Sequence, residues 1–424
     1  MAVKPSTIRR AERFPLLQPL GVRDFRLLWI GQGVSLFGDQ FYLVALPWLT
    51  LQLTGSSLAL GTVLVLAGGS RAIFQLFGGA LSDRVAARVL MIVSNVARAL
   101  ATAAIMTLVI TGVVQLWHLY LLSIIFGALD AFFVPAIFSV VPMLIAREIL
   151  GAGNALLRGT SRFMALIGPA IAGLVVSHQN LGTAFAVDAA TFVFAAFMIG
   201  LMNERRRPGG DQPDSEDSEG ALRSKGLLTS IGEGLRYAWK QPLIRALLFF
   251  IAAFEFSFVG PFSVGLAAMA KVRFETGASA LGWMLSAFGG GMLAGTILAG
   301  SIRAPRRRGL LIISVSVLCG VGLILLGFAA NVASASVILA FIGVGGGVVN
   351  ILVLGLLQSE TDRRLLGRVM GFLLFGSILM ETVSYAVAGV VADANLTVLF
   401  VIGGAIMLVI SALSMSGQTL RATN

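Results

Sequence analysis

Twelve apolar runs divide this chain, and each is long enough to cross a bilayer. Their approximate edges are 25–52, 56–81, 89–111, 115–138, 158–178, 182–202, 243–268, 279–301, 309–330, 334–357, 368–391 and 395–416. A hydrocarbon core of ~30 Å takes ~20 helical residues. Lipid offers no partner to exposed backbone groups, so each run is expected to be a helix. Composition agrees. Of the 424 residues, 57% are hydrophobic and 12% are charged, where a soluble domain has ~45–50% and ~25%. The expected fold is all-α and integral to the membrane, with 12 transmembrane helices. The run after Arg26 far exceeds the ~7–15 apolar residues of a cleaved signal peptide, so it reads as a retained span.

A net charge of +11 raises the question of nucleic acid. The basic residues answer it: they sit in short segments between apolar runs and form no soluble basic face. No nucleic-acid partner is expected. Cys319 is the single cysteine, so no intrachain disulfide is possible. His118 and His178 fall in expected loops, too far apart to suggest a metal site. No metal and no cofactor are expected. A membrane-embedded transferase is disfavoured, because no His, Cys or acid cluster lies in a loop and no Gly-rich loop follows a strand.

Lys/Arg bias sets orientation. The turns after runs 2, 4, 8 and 10 carry Arg84 and Arg88, Arg147, Arg303 with Arg306–Arg308, and Arg363 with Arg364. The opposite connections hold only Lys271 and Arg273. Both termini are therefore expected in the cytoplasm. The central stretch divides the chain six and six. The expected organisation is a cytoplasmic segment 1–24, a six-helix bundle 25–202, a linker 203–242, a second six-helix bundle 243–416 and a tail 417–424. "RPGGDQPDSEDSEG" (207–220) reads as a flexible linker. "GLLTSIGEGLRYAWKQ" (226–241) has apolar residues at helical spacing and is expected to lie on the inner membrane surface.

The halves resemble each other. Sliding the chain by 216 residues puts "MALIGPAIAGLVV" (164–176) on "METVSYAVAGVVA" (380–392), with Gly173 on Gly389. It also puts Gly127 on Gly343, and Asp39 on Glu255. Two parallel halves related by an axis along the membrane normal are one known transporter design. "GGG" at 289–291 and 345–347 is expected to pack helices closely.

Few ionisable residues lie inside the runs: Asp39, Arg71, Arg98, Asp130, Asp188, Glu255 and Glu381. An ionised group at mid-membrane costs ~3 kcal/mol or more, so such residues face the bundle interior and often mark a pathway. Asp39 is 13 residues past Arg26, about 20 Å at ~1.5 Å per residue. Arg71 and Glu381 are equally far from Arg84 and Arg368. These three share one depth. Glu255 and Arg98 lie about 15 Å from boundary arginines. One expectation is that Asp39, Glu255 and Glu381 line a central cavity that binds protons or a cationic substrate. The other is that Asp39 and Arg71 form a static pair. Arg71 and Arg98 can instead attract anions. Asp130 and Asp188, the latter close to the outer face, read as packing or gate residues.

The turn "GGALSDRVAARVL" places Gly79, Asp83, Arg84 and Arg88 together. Gly79 allows close approach, Asp83 suits the positive end of a helix, and the arginines can bridge to acids at other helix ends. This is expected to act as a gate that forms in one conformation only. In "GPAIAG" (168–173), Pro169 bends the helix while Gly168 and Gly173 narrow it, for a rocking surface or a close crossing with run 8.

These motifs resemble the major facilitator superfamily. "GGALSDRVAARVL" looks like its loop 2–3 signature and "GPAIAG" like its helix 5 exporter motif. "GD" (38–39), "VDAATFVF" (187–194), "GEGLRYAWKQPLIR" (232–245) and "LLGRVMG" (365–371) resemble the proton-driven exporter branch with macrolide-efflux and enterobactin-export proteins. The resemblance implies two six-helix bundles around a central cavity, with alternating access, and gate roles for Asp83, Arg84 and Arg88. Ala86 and Ala87 depart from the signature, and Asp130 stands where some drug–proton antiporters carry an arginine. The expected protein is a monomeric, multi-pass inner-membrane exporter, not an enzyme. Its partners would be membrane lipids, protons and an amphipathic small molecule such as a drug, macrolide or siderophore. A lysophospholipid flippase or a small-metabolite importer is the alternative.

Overall fold

The structure, a computed structural model, describes residues 15–82, 85–178, 180–203, 236, 239–301, 308–362 and 365–416. Among these, 12 helices are long and apolar enough to cross a membrane. They are α1 Arg23–Thr54, α2 Ser57–Ser82, α3 Ala87–Ile110, α4 Leu116–Leu144, α5 Leu150–His178 and α6 Leu181–Gly200. The second set is α7 Pro242–Val272, α8 Ala278–Ser301, α9 Arg308–Leu326, α10 Val332–Glu360, α11 Leu366–Ala394 and α12 Leu396–Ser416. With an even number of spans, the first helix starts and the last helix ends on one face, here the terminal face. The opposite one is the far face.

Two helix ends differ from the sequence expectation. α4 continues to Leu144 and α5 starts at Leu150, beyond the apolar edges at 138 and 158. Residues 139–144, SVVPML, are themselves apolar, and Val140 and Val141 are buried in the first half's own core, so packing against protein and not bilayer thickness sets the end of α4. Neither histidine is a loop residue. His118 sits in the first turn of α4, where its Nδ1 accepts from the Gln115 N–H at 2.9 Å, and His178 ends α5. The expected gate residues Asp83 and Arg84, the linker 207–220 and most of 226–241 lie outside the described residues.

α7 is interrupted by a widened π turn at Pro261–Gly265. Proline lacks a donor and crowds the preceding turn, and a π turn accommodates that. Ser384 on α11 repairs the backbone beside it. Its hydroxyl accepts from the Gly260 N–H at 2.8 Å and donates to the Phe256 carbonyl at 2.6 Å.

The helix pairings come in matched sets. In the first half α1 packs on α5 and α6, α2 on α4, and α3 on α4 and α6. In the second α7 packs on α11 and α12, α8 on α10, and α9 on α10 and α12. Each pairing of one set recurs in the other six helices later. Between halves α2 meets α11 and α5 meets α8, which is again one contact used twice. Glycines set these distances. A Cβ on Gly127 would lie 2.1 Å from the Ala67 carbonyl, and one on Gly343 would lie 2.3 Å from that of Phe288. Across the halves, a Cβ on Gly61 would lie 2.7 Å from the Tyr385 carbonyl, and one on Gly282 would lie 2.3 Å from that of Pro169. Gly291, Gly295 and Gly347 likewise bring α8 and α10 into backbone contact, so the Gly triplets pack as expected.

The apolar core is not continuous. A large cluster at the far-face end joins both halves, from Phe41 and Leu60 to Met284 and Tyr385. Toward the terminal face it separates. Phe25, Leu90 and Phe133 belong to a cluster of the first half alone, and Leu247, Ile312 and Leu357 to one of the second half alone. The halves are joined at the far face and have separate cores at the terminal face.

Candidate transport site

At the far face the second half holds helix ends of the first. Asp393, at the end of α11, accepts from the Ser56 hydroxyl at 2.6 Å, from the Leu58 N–H at 3.1 Å and from the Ser57 N–H. It thus caps α2, whose orphan N–H groups favour a carboxylate. The Lys271 ammonium donates to the Leu51 carbonyl in the last turn of α1. On the other side the Ser177 hydroxyl accepts from the Ser279 N–H at 2.9 Å, at the start of α8. Lys271 and Arg273 broke the sequence charge pattern. Lys271 serves a helix C-terminus of the other half, while Arg273 donates to the Gly327 carbonyl at 2.6 Å and to Thr397.

Deeper in, α2 and α11 carry an ion pair. The Arg71 Nη2 lies 2.6 Å from the Glu381 Oε2, with both side chains about a quarter exposed. The Tyr385 hydroxyl donates to the other Glu381 oxygen at 2.6 Å. Glu255 on α7 lies in the Coulomb field of both Glu381 and Arg71. The cluster therefore has two carboxylates against one guanidinium. Arg71 and Glu381 share a depth, as residue counting indicated. Arg71 pairs with Glu381 and not with Asp39, because α2 packs on α4 and α11 while α1 turns toward α5 and α6.

Below this cluster lies a groove of about 400 Å³ between α7 and α11. Its walls are apolar, with Phe249, Phe372 and Phe375, and Trp239 and Arg245 stand at its terminal-face end. Ile251 and Ser377 also line it, and each is one helical turn from Glu255 or Glu381. The groove thus runs up toward the carboxylates.

A second polar cluster lies inside the first half. Arg98 on α3 is 5% exposed and pairs with Asp130 on α4. The guanidinium also stands over the rings of Phe133 and Phe192, at 4.8 and 5.6 Å. Asp39 is within Coulombic reach of Arg98 and Asp130, and Asp188 of Asp39 and Arg98. Asp188 is 0% exposed. Placed near the outer face by residue counting, it points into the bundle. Gly38 is the reason: a Cβ there would lie 1.8 Å from the Thr191 hydroxyl and 3.0 Å from the Asp188 Oδ1.

The other expected residues fall as follows. Arg88 reaches a helix end. It donates to the Ile199 and Gly200 carbonyls at 3.2 and 2.6 Å, where a helix C-terminus attracts a cation. Gly79 lies within α2. Gly168 fits against the Gln40 side chain of α1, and Gly173 against Gly282 and Ser279 of α8. Pro169 contributes the carbonyl that Gly282 faces. "GPAIAG" is thus a close crossing with α8. Sequence reasoning missed Asp393, Ser384, Tyr385 and the role of Asp188. A visible hint was Lys271, one of two cations, with Arg273, on a face otherwise poor in basic residues.

Residues 28–383 match the family model described as Major Facilitator Superfamily. The chain belongs to the Major Facilitator Superfamily. It is 26% identical over 364 residues to the "Multidrug efflux pump Tap" of Mycolicibacterium fortuitum, covering 84% of this chain and 86% of the relative. It is 23% identical over 366 residues to the "Enterobactin exporter EntS" of Shigella boydii, covering 86% and 84%. The fold matches a crystal structure of a POT family transporter in complex with 5-aminolevulinic acid. The TM-score is 0.68, with 14% identity, over 94% of this chain and 95% of that one. This major facilitator superfamily member is a multi-pass membrane transporter, not an enzyme.

Proposed function

We propose that this transporter is an inner-membrane exporter of an amphipathic small molecule, with both termini in the cytoplasm, and that it exchanges protons for its substrate. The observation that carries the reading is the apolar groove between α7 and α11. It is of ligand size, lined by aromatic residues, and it ends one turn below Glu255 and Glu381. On this orientation the terminal face is cytoplasmic, and the separate cores at that face correspond to an inward-opening state. The names of the two relatives, an efflux pump and a siderophore exporter, support the outward direction. The excess carboxylate beside Arg71 supports exchange against a cation, and Glu255 would take the proton.

The experiment uses proteoliposomes, a panel of amphipathic dyes, macrolides, catechol siderophores and lysophospholipids, and an imposed pH gradient. Gradient-driven flux of a drug-like or siderophore compound is expected. Flux unchanged when the gradient is collapsed sinks the exchange, and flux of lysophospholipid alone makes the protein a flippase. Glu255→Gln should remove gradient-driven flux at least tenfold while leaving expression unchanged. Normal driven flux in that variant takes Glu255 out of the mechanism.

A further inference from the structure

The ion pair and groove leave the buried cluster of the first half without a role. Its composition is unusual. Asp39, Asp130 and Asp188 bring three carboxylates to one guanidinium, and Arg98 gives its bond to Asp130. Neither Asp188 oxygen has a hydrogen-bond partner, although the residue is fully buried. The Thr102 and Ser123 hydroxyls, on residues 0% exposed, are also unpartnered, as is the Tyr42 hydroxyl. These groups converge from α1, α3, α4 and α6. The Thr102 hydroxyl interacts with Asp188, and that of Ser123 with Tyr42, but neither contact has the geometry of a well-formed hydrogen bond.

A fully buried carboxylate without partners costs several kcal/mol if it stays charged. Arg98 stabilises the nearer acids electrostatically, but one cation cannot balance three anions. The remaining charge needs a small cation. Among the described residues, no three His, Cys, Asp or Glu side chains converge as metal ligands. The proton is the smallest cation that meets this need, and the test below separates it from an alkali cation. Two neighbouring carboxyls sharing one proton is a known solution to this imbalance.

We propose that Asp188 and Asp39 form a proton-binding site of the first half, distinct from the Glu255–Glu381–Arg71 cluster. The groups facing Asp188 are Asp39 and Tyr42 from α1 and Arg98 from α3. Asp130 from α4 stands behind Arg98 and holds its charge there. Asp39 is partly exposed and Asp188 is not, so Asp39 is the member of the pair through which the proton exchanges. This site deepens the proton-exchange reading above and rests on it for its role in transport. Its proton occupancy stands independently.

The test is infrared spectroscopy of the purified full chain in detergent, read across a pH series. The carbonyl stretch of a protonated, buried carboxylic acid is expected near neutral pH in the unaltered protein. Asp188→Asn should remove it, and Asp39→Asn should remove it or shift its titration, while Glu255→Gln leaves that component in place. Spectra of the unaltered protein without such a band overturn the proposal with no variant needed. A band that survives both aspartate variants also overturns it. So does a band that sodium abolishes at constant pH, which makes the site one for an alkali cation. Gradient-driven flux separates the two readings. If flux depends on the gradient but the band is absent, this site fails and the exchange stands. If the band is present and flux ignores the gradient, the exchange fails and the site stands.

Discussion

Removing the Asp393 carboxylate should unfasten the far face. This side chain caps α2 from the other half of the molecule, with one hydroxyl and two backbone donors. Loss of a capping Asp costs about 0.5–2 kcal/mol. Loss of its charge at a helix N-terminus adds about 0.3–1 kcal/mol at the surface. Asp393 is exposed, so both belong at the low end, and the sum is about 1–2 kcal/mol. The clasp exists only while the far face is closed, so its loss acts on the conformational equilibrium. A bias of that size changes a population ratio roughly 5–30-fold. Spin labels on Val113→Cys and Phe328→Cys, both exposed at the far face and on opposite halves, report the separation by pulsed dipolar spectroscopy. Cys319 is changed to Ser to leave two labels. Asp393→Ala should raise the ratio of long to short distances by that factor. Asn caps helices nearly as well as Asp, so Asp393→Asn should move it much less. Identical distance distributions for the unaltered protein and Asp393→Ala would refute the clasp. Equal effects of Ala and Asn would refute the capping geometry.

Two further variants test the inter-half contacts. Arg71→Glu places three carboxylates together and should cut transport more than tenfold. Adding Glu381→Arg should recover a measurable part, since a half-buried pair contributes about 1–3 kcal/mol, between surface and buried values; a double swap as inactive as the single breaks the pair's assignment. Gly282→Val puts a Cβ at 2.3 Å from the Pro169 carbonyl and should cost about 1–3 kcal/mol by overpacking. Thermal unfolding in detergent reads this against Gly346→Ala, where nothing lies within 4 Å, and equal midpoints for the two contradict the close crossing.

Hydropathy made the helix count legible, because a bilayer imposes one length and one composition on each span. Pairings were not legible to the same degree. Asp39 and Arg71 sit on consecutive helices at one depth, yet they face different partners. Depth follows from counting residues, whereas direction depends on which helices touch. Asp188 shows the same gap. It lies seven residues into α6, about 10 Å from that end, and only the contact at Gly38 reveals that it points inward. The ends of α4 and α5 escaped because counting ~20 residues per span stops at the bilayer thickness, whereas Val140 and Val141 extend α4 by packing into the first half's core. Asp393 lies just past the run 368–391, and its partners are more than 330 residues away in the chain.

The symmetry of the halves separates what the fold needs from what transport needs. A requirement of the fold should recur in both halves, since both make the same helix pairings. The packing glycines obey this: Gly127 has its counterpart in Gly343, and Gly173 in Gly389, with equivalent neighbours. Three of the four ions of the first-half cluster do not, and only Asp39 has an ionic counterpart, Glu255. The same offset carries Arg98 to Ser314, Asp130 to Gly346 and Asp188 to Gly404. At Gly404 the second half is closed by backbone contact, since a Cβ there would lie 2.5 Å from the Gly320 carbonyl of α9. One half therefore fills this position between its third and sixth helices with packed backbone. The other keeps a buried charge cluster there at a cost in solvation. Folding gives no reason for that difference, since the second half closes the same pairing without ions. The asymmetry fits the proposed Asp39–Asp188 proton site, which belongs to the first half alone, beside the proposed groove and Glu255 of the second. Alternating access would then couple the two across the Arg71–Glu381 pair and the glycine crossings.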